Sequence, residues 1–359
     1  MIKRRREIWI DNVKVIACIL VALGYFFQSM VKSGILSDCD LYRWFDTTVH
    51  YFPIPLFFIC SGYLYQKYSC VNSIKSWRQN ITKRALALMV PYFTFSTATW
   101  LLERALSSPV SGEANLSWAE AMFISPLSPY WFLFTLFFIF LITPTFPQQK
   151  NAAVGLTVAV LLKSVTFFER TCSITLIQYV ISNEIWFVLG MCLCTAKFTA
   201  VIHKKKHTWM QTGLVGFTVF IILSVWIYYK VQPTHSLIAF FLGLLACLSI
   251  ILMVSGAFNE RYQTKGWRFF VKYTMPIFLM HTLFPAPVRV LLLKYDIVNP
   301  YSHLVCGLAV TIACPIAAGW IMQKLKWPEF FLYPGKFIVK FIKLTKKRDK
   351  KNKKIKNKK

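Results

Sequence analysis

The hydrophobic positions of this chain are gathered into long continuous blocks, with short polar and basic segments between them. A block of roughly twenty apolar residues is long enough for one α-helix to cross the hydrocarbon core of a bilayer. The strands of a membrane β-barrel alternate apolar and polar positions instead, so the pattern excludes that class. The sequence therefore predicts an all-α, polytopic membrane protein with about ten transmembrane helices. The predicted spans are residues 12–31, 49–66, 85–103, 129–147, 152–168, 183–200, 209–229, 235–256, 273–293 and 302–323.

The composition supports this class of protein. Of the 359 residues, 56% are hydrophobic and only 16% are charged. A soluble globular chain is usually about a quarter charged and less than half apolar. A disordered chain, a small disulfide-rich secreted module and an ordinary soluble enzyme are therefore excluded, and the lipid bilayer is the first expected partner.

Basic residues are distributed unevenly between the two sides of the predicted membrane. The formal net charge is +28, from 42 lysine and arginine residues against 14 acidic residues. If the N-terminus lies in the cytoplasm, most of the basic residues fall in the inner loops and the C-terminal tail, as the positive-inside rule requires. The sequence therefore predicts that both termini are cytoplasmic, and we expect the membrane to be the bacterial plasma membrane.

The chain is expected to form one membrane domain followed by a tail. Residues 1–335 contain all the predicted spans without a long linker, and residues 336–359 form a lysine-rich cytoplasmic tail that is typical of a contact with anionic lipid. No folded basic domain accompanies the tail, so nucleic acid is not an expected partner. The ten cysteines show no metal-ligand spacing, and no metal site is expected. Whether Cys39 and Cys172, both predicted on the outer side, form a disulfide stays open.

Polar residues in or beside the predicted spans are the first candidates for function, because a polar group in a bilayer is costly unless it faces a partner or a wet cavity. Lys14 and Tyr25 are eleven residues apart, so they share one face of the first helix and stand ~16 Å apart along its axis. A second interpretation stays open, in which Lys14 reaches the inner surface and pairs with Asp11 while Tyr25 belongs to an interfacial aromatic belt. Lys163 and Arg289 also fall inside predicted spans.

Two histidines are candidate general bases. His50 lies just ahead of Pro53 and Pro55, which prevent a regular first turn in the second span. At such an opening an imidazole is either a base or a solvated loop histidine. Ser61 lies deeper in the same span. His281 lies inside the ninth span, where an imidazole needs a structural or chemical reason.

Several short motifs are spread along the chain in a characteristic order. They are Trp9–Lys14, Val21–Gly24, Phe57–Tyr63, Lys83-Arg84 ahead of Pro91-Tyr92, Trp131–Leu133, Trp186–Gly190 and Met280–Thr282. Together they resemble the acyltransferase-3 family of integral membrane O-acyltransferases over residues 7–325. The resemblance implies an enzyme that moves an acyl group, commonly acetyl, from cytoplasmic acyl-CoA to a hydroxyl of an envelope sugar or a lipid-linked glycan. It implies no bound cofactor, since acyl-CoA is the donor substrate.

The signature of this family is a basic residue followed, after ten intervening residues, by a histidine. Lys14 fills the basic position, and Tyr25 stands at the histidine position. The family's basic loop implies that Arg78, Lys83 and Arg84 bind the phosphates of CoA, although a role in topology alone remains equally open. The expected set of binding residues is Lys14, Asp11, Ser61, Arg78, Lys83, Arg84 and Trp131.

Tyr25 changes the expected chemistry. Acyl transfer to a hydroxyl needs a base that removes the proton, and the loss of that base costs ~100- to 10,000-fold in rate. An unperturbed phenol has a pKa near ~10 and keeps its proton at neutral pH. We therefore expect Tyr25 to donate a hydrogen bond to a developing oxyanion, with His281 or His50 as the base. This mechanism requires a polar passage from the cytoplasmic side to Tyr25.

Two alternatives to an active enzyme stay open. One is a catalytically impaired relative that binds a glycan, a lipid or CoA. The other is a transporter of an envelope precursor, which is less favoured because the two halves of the chain show no matching pair of broken helices.

Overall fold

The computed structural model describes residues 7–69, 71, 73–106, 116–167, 174–231, 236–258 and 263–337, and within these ranges it contains helices and no strand. The α-helices are α1 (Ile8–Lys32), α2 (Asp40–His50), α3 (Pro53–Tyr68), α4 (Ile74–Leu106), α5 (Trp131–Ile142), α6 (Gln149–Val165), α7 (Thr175–Thr195), α8 (Phe198–Lys204), α9 (Lys206–Lys230), α10 (Ser236–Ala257), α11 (Lys265–Met280), α12 (Pro285–Lys294), α13 (Pro300–Leu325) and α14 (Glu329–Leu332). A short π-helical segment, Glu120–Ile124, precedes α5. The all-α prediction is confirmed within these ranges.

Six of the described helices are long and apolar enough to cross a bilayer, namely α1, α4, α7, α9, α10 and α13. Each of them overlaps one predicted span. The four other predicted spans correspond to shorter or bent elements, because α3 has 16 residues, α5 has 12, α6 has 17, and α11 and α12 form a pair bent by 63°. The chain is therefore a multi-pass membrane protein, while the count of ten spans and the sides of the termini stay predictions.

The bend between α11 and α12 has a local cause in the sequence. Pro285 begins α12 and lacks the N–H that would bond to the carbonyl of residue 281 in a continuous helix. As a result α11 ends at Met280, and His281 lies in the turn between the two helices. The side chain of His281 is only 2% exposed. The break therefore holds an imidazole inside the protein.

The closest packing at a glycine is between α3 and α7. A Cβ atom on Gly62 would lie 1.9 Å from the carbonyl oxygen of Phe187, and one on Gly190 would lie 2.0 Å from the carbonyl oxygen of Ile59. Small residues that let two backbones approach closely are a common basis of helix association in lipid. The α3–α7 pair forms a centre against which α1, α5 and α6 pack.

Two of the sequence predictions concern residues beyond the described ranges. Cys172 lies outside them, so the Cys39–Cys172 disulfide stays open. Most of the predicted tail, residues 338–359, also lies outside. Lys336, which was assigned to the tail, is described, and its ammonium group donates a hydrogen bond to Glu329 at 2.6 Å.

Candidate functional site

Four cationic side chains from distant parts of the chain line one cavity of about 520 Å³. Lys14 comes from α1, Arg84 from α4, Lys272 from α11 and Lys336 from the segment after α14. The guanidinium group of Arg84 also lies over the ring of Phe140, 4.2 Å from its centroid. Most of the remaining wall is apolar. We call this space the basic cavity, since its cations suit phosphate groups and its apolar wall suits an alkyl chain.

Three phenylalanine rings form one wall of the basic cavity. Phe57 comes from α3, Phe132 from α5 and Phe278 from α11. The ring centroids of Phe57 and Phe132 are 5.5 Å apart, those of Phe57 and Phe278 are 5.4 Å apart, and those of Phe132 and Phe278 are 5.7 Å apart. Each ring therefore contacts both others, and all three are buried. We call these three residues the phenylalanine layer.

A second cavity, of about 180 Å³, is lined by His281, which follows Phe278 of the phenylalanine layer by three residues along the chain. Its wall includes Tyr25, Ser128 and His281. The ring of His281 lies 6.4 Å from the ring of Phe278 and 5.6 Å from the ring of Tyr25, measured between centroids. This space, which we call the His281 cavity, shares no lining residue with the basic cavity. The phenylalanine layer therefore lies between the four cations and the Tyr25–His281 pair.

The hydrogen bonds of His281 decide which ring nitrogen is available for chemistry. Nδ1 lies 3.1 Å from the carbonyl oxygen of Ile277 and 3.0 Å from that of Phe278. Because a carbonyl oxygen only accepts, Nδ1 carries the proton and donates it, and Nε2 of the neutral ring is then an acceptor. Nε2 is buried without a hydrogen-bond partner among the described residues. His281 therefore presents a basic lone pair at the wall of its cavity.

Tyr25 also lines a third cavity, of about 510 Å³, which we call the His50 cavity. The two cavities that meet at Tyr25 also share Ser128. The Tyr25 hydroxyl interacts with the side chains of Ser128 and Trp131. The ring of His50 lies 6.3 Å from the ring of Tyr25, between centroids. Tyr25 thus stands between two imidazole rings.

His50 differs from His281 in exposure and in partners. Its side chain is 41% exposed, and Nδ1 lies 3.5 Å from a carboxylate oxygen of Asp46 as well as close to the Asp46 carbonyl. An imidazole at the solvent-exposed rim is less protected from water than one that is 2% exposed. His281 is therefore the more enclosed of the two imidazoles and the better protected from competing water.

The structure divides the predicted site residues among the three cavities. Two predicted phosphate-binding residues, Arg78 and Lys83, are exposed on α4, which turns Arg84 and Leu88 toward the basic cavity instead. Asp11 is partly buried in the first turn of α1 and does not line any of the three cavities. The others lie as follows: Lys14, Ser61 and Arg84 in the basic cavity, Tyr25 and His281 in the His281 cavity, and Tyr25, His50 and Trp131 in the His50 cavity.

The expected passage from the basic residues to Tyr25 is interrupted by the phenylalanine layer. Lys14 and Ser61 lie on one side of this layer, and Tyr25 lies on the other. The two sides meet along α5, where the adjacent residues Trp131 and Phe132 line the His50 cavity and the basic cavity respectively. Between these two cavities, the three rings therefore lie in the way of a molecule that moves from the basic cavity toward Tyr25.

Sequence reasoning missed several residues of these cavities. Lys272 and Lys336 join the basic cavity from segments far from Lys14 along the chain, and no local pattern marks them. Ser128 is an ordinary polar residue between helices, and it carries no signal of its own. Lys163 was visible as a charge inside a predicted span, and the structure places it in the wall of the His50 cavity.

The described side chains include no arrangement of metal ligands. Over the described ranges, no group of three or more histidine, cysteine, aspartate or glutamate side chains could hold a metal ion. One buried acid, Glu184, lies in α7, where its Oε1 accepts a hydrogen bond of 2.6 Å from the hydroxyl of Thr143. The polar groups that line the His281 cavity are instead an imidazole, a phenol, hydroxyls, the Gln28 amide and the Lys32 ammonium.

Most of the chain matches one family of proteins. A profile described as an acyltransferase domain covers residues 7–320, a range that includes every cavity residue named above except Lys336. The nodulation protein NolL of Mesorhizobium japonicum is 26% identical over 175 residues, which are 48% of this chain and 45% of that protein. The chain thus matches less than half the length of this curated relative. No solved structure matches it.

Proposed function

The chain belongs to the acyltransferase-3 family, and from this premise we propose that it is a membrane O-acyltransferase. The proposed reaction moves an acyl group, acetyl in the first place, from acyl-CoA to a hydroxyl of an envelope sugar or glycolipid. The proposed setting is the bacterial plasma membrane, with ten spans and both termini in the cytoplasm. Acyl-CoA then approaches from the side on which Lys14 and the other cations lie.

The basic cavity is the proposed site for acyl-CoA. Lys14, Arg84 and Lys272 supply charges for its phosphate groups, and the apolar wall accommodates its pantetheine arm. The phenylalanine layer bounds this cavity, so the thioester at the end of the arm lies against the three rings. Ser61 lines the same cavity, where its hydroxyl can bond to the amide groups of the arm.

The observation that carries the proposal is the free Nε2 of His281 beside Tyr25. In the proposed step the acceptor oxygen attacks the thioester carbonyl carbon while its proton moves to Nε2. The carbon–sulfur bond then breaks, and the leaving thiolate takes the proton back from the imidazolium. The Nδ1 hydrogen bonds to two backbone carbonyls keep the ring in the tautomer that this exchange requires. His281 thereby supplies the base that the residue at position 25 lacks.

Tyr25 has a different proposed role, as a hydrogen-bond donor. Its hydroxyl keeps its proton at neutral pH and donates to the oxyanion that forms as the thioester carbonyl is attacked. Its ring lies between the His281 cavity and the His50 cavity, so it also separates the base from the solvent-exposed rim. A histidine at position 25 would add a second base at the same place.

A second candidate function is favoured by the closed phenylalanine layer. If the rings do not move, acyl-CoA binds in the basic cavity and never meets an acceptor beside Tyr25. The chain is then a catalytically impaired relative that binds CoA or a glycan. The two candidates differ in turnover, and one assay separates them.

The assay uses membrane vesicles that contain the full chain, with acetyl-CoA labelled in the acetyl group, and it follows label transferred to the envelope glycan fraction. We expect the substitution His281→Gln to lower transfer by ~100- to 10,000-fold. His303→Gln is the matched control, because His303 is equally buried but its Nε2 bonds to the Ile297 carbonyl at 2.7 Å. We expect Tyr25→His to transfer faster than the parent.

Each result has a defined meaning. Full activity of the His281→Gln variant would refute the role of this imidazole, and a matching loss in His50→Gln would move the role to His50. Binding of labelled CoA by the parent and by Tyr25→His, without transfer by either, would establish the impaired relative. Absence of both binding and transfer in every variant would refute the acyltransferase proposal.

A further inference from the structure

Lys163 places a positive charge in the wall of the His50 cavity. It belongs to α6, within a predicted span, and its side chain is partly buried. Its ammonium nitrogen lies 5.5 Å from the ring centroid of Phe167 and 5.7 Å from that of Phe240. Among the described residues, no carboxylate forms an ion pair with it. Two aromatic faces attract a cation but do not replace an anion.

Such a cation needs a functional explanation. A lysine in the middle of a membrane helix is costly, and lysines near helix ends usually extend to the interface. Lys163 lies near the C-terminal end of α6, yet its charge is directed at two rings in a cavity wall. This geometry indicates a binding site for an anion that enters the His50 cavity.

The remaining wall of the His50 cavity suits a sugar ring. The rings of Trp131 and Tyr179 contact each other, with centroids 4.7 Å apart at 34°, and together form an aromatic part of this wall. Gln28 and Asn183 add amide groups to the wall, and these groups both donate and accept hydrogen bonds. Flat aromatic faces combined with a few amides match the mixed apolar and hydroxyl surface of a pyranose ring.

The charges around the cavity restrict where an anion can sit. A neighbouring pocket of about 820 Å³ shares Tyr51 with the His50 cavity and is lined by Asp38, Asp40 and Asp46. The Arg43 side chain bonds to Asp38 and holds the pKa of that carboxyl below its ordinary value, so the carboxylate stays charged. Because Arg43 pairs with Asp38 and Asp40 in that pocket, Lys163 is the cation that an anionic ligand meets without a carboxylate partner among the described residues of the His50 cavity.

We propose that the His50 cavity binds a sugar that carries a carboxylate or a phosphate, with this anionic group paired to Lys163. The assignment of this sugar as the acyl acceptor rests on the proposed function. With its charge at Lys163 and its ring on Trp131 and Tyr179, a neighbouring hydroxyl of the sugar is turned toward Tyr25, which lines the same cavity.

The test measures sugar binding without acyl-CoA, so it does not depend on turnover. The purified full chain is placed in nanodiscs of phosphatidylcholine and titrated with trigalacturonic acid, glucose 1-phosphate and neutral maltotriose. We expect at least one of the two anionic probes to bind at least ~10-fold more tightly than maltotriose, since a charge-assisted hydrogen bond is the stronger kind. Lys163→Met is expected to abolish this preference, and Lys163→Arg is expected to keep it.

Lys150→Met is the matched control, because Lys150 is an exposed lysine of the same helix. We expect it to bind like the parent. Equal affinity of the parent for maltotriose and both anionic probes would overturn the proposal, as would an anionic preference that survives Lys163→Met. Displacement of both anionic probes by phosphatidylglycerol in the nanodisc would show an anionic lipid as the occupant, and this would also overturn it.

The outcome is separable from that of the acyltransferase proposal. If the chain prefers anionic sugars but never transfers acetyl, the sugar site is supported and the acyltransferase proposal is refuted. If it transfers acetyl without preferring anionic sugars, the acyltransferase proposal is supported and the role of Lys163 is refuted.

Discussion

The contacts within the phenylalanine layer predict how often a passage opens between the basic cavity and the His281 cavity. Phe278 contacts Phe57 at 5.4 Å and Phe132 at 5.7 Å between ring centroids. An aromatic pair contributes ~0.5–1.5 kcal/mol beyond the burial of its area. The substitution Phe278→Ala removes two such pairs, which amounts to ~1–3 kcal/mol, and should raise the population of open layers by ~5- to 150-fold.

The population of open layers can be measured with a cysteine placed beyond the layer. Ser128→Cys provides a thiol in the wall of the His281 cavity. A charged methanethiosulfonate reagent is added to sealed vesicles only on the face to which the basic cavity opens. Peptide mass spectrometry then follows this cysteine separately from the ten native cysteines. When opening is fast relative to modification, the labelling rate scales with the open population, so Phe278→Ala should accelerate labelling by ~5- to 150-fold.

The matched control is Phe269→Ala, which truncates the same residue type on the same helix. Phe269 is 47% exposed and contacts Phe270 and Tyr273 rather than the layer. We expect its labelling rate to equal that of the parent. Labelling of a folded Phe278→Ala variant at the parent's rate would refute the reasoning, since the three rings would then not be the barrier.

Two further predictions concern stability, and both are measured as thermal unfolding in nanodiscs. Gly190→Ala should destabilise the protein by ~1–3 kcal/mol or more, because its Cβ would lie 2.0 Å from the Ile59 carbonyl oxygen and force α3 and α7 apart. Gly266→Ala is the control and should not destabilise the protein, because no atom lies within 4 Å of its Cβ. Arg289→Ala should cost ~1.5–3 kcal/mol, because the buried guanidinium of Arg289 donates to the carbonyl and hydroxyl of Ser29 near the end of α1. Unchanged unfolding of either Gly190→Ala or Arg289→Ala would contradict the corresponding contact.

The helices were readable from the sequence because hydrophobic blocks mark them directly. Every predicted span overlaps a described helix or the bent α11–α12 pair. The lengths were less predictable, since the predicted span 49–66 begins four residues before α3 and the span 129–147 ends five residues after α5. The predicted span 273–293 contains Pro285, and the depth at which the break before this proline holds His281 depends on packing between helices.

The site was only partly predictable, because polar site residues stand out in an apolar block and aromatic ones do not. A lysine or histidine inside an apolar block stands out, so Lys14, Lys163 and His281 were visible. A phenylalanine does not, because the chain has 32 of them and most apolar blocks contain several. The phenylalanine layer exists only because α3, α5 and α11 each contribute one ring at the same place. Likewise, helix periodicity predicts that Arg84 and Lys83 point in different directions from α4, but it does not show which of the two faces the cavity.

The position of the phenylalanine layer bears on which acyl groups the proposed enzyme can use. On one side lies a cavity with four cations, where the phosphates of CoA are proposed to bind, and on the other side lie His281 and Tyr25. In the proposed reaction, a thin arm with a small acyl group needs only a rotation of the rings to pass, whereas the charged part of CoA is expected to stay with the cations. The His281 cavity beyond the rings, of about 180 Å³, has less room for a long acyl chain than for an acetyl group. The geometry therefore favours acetyl over longer donors for the reaction proposed here.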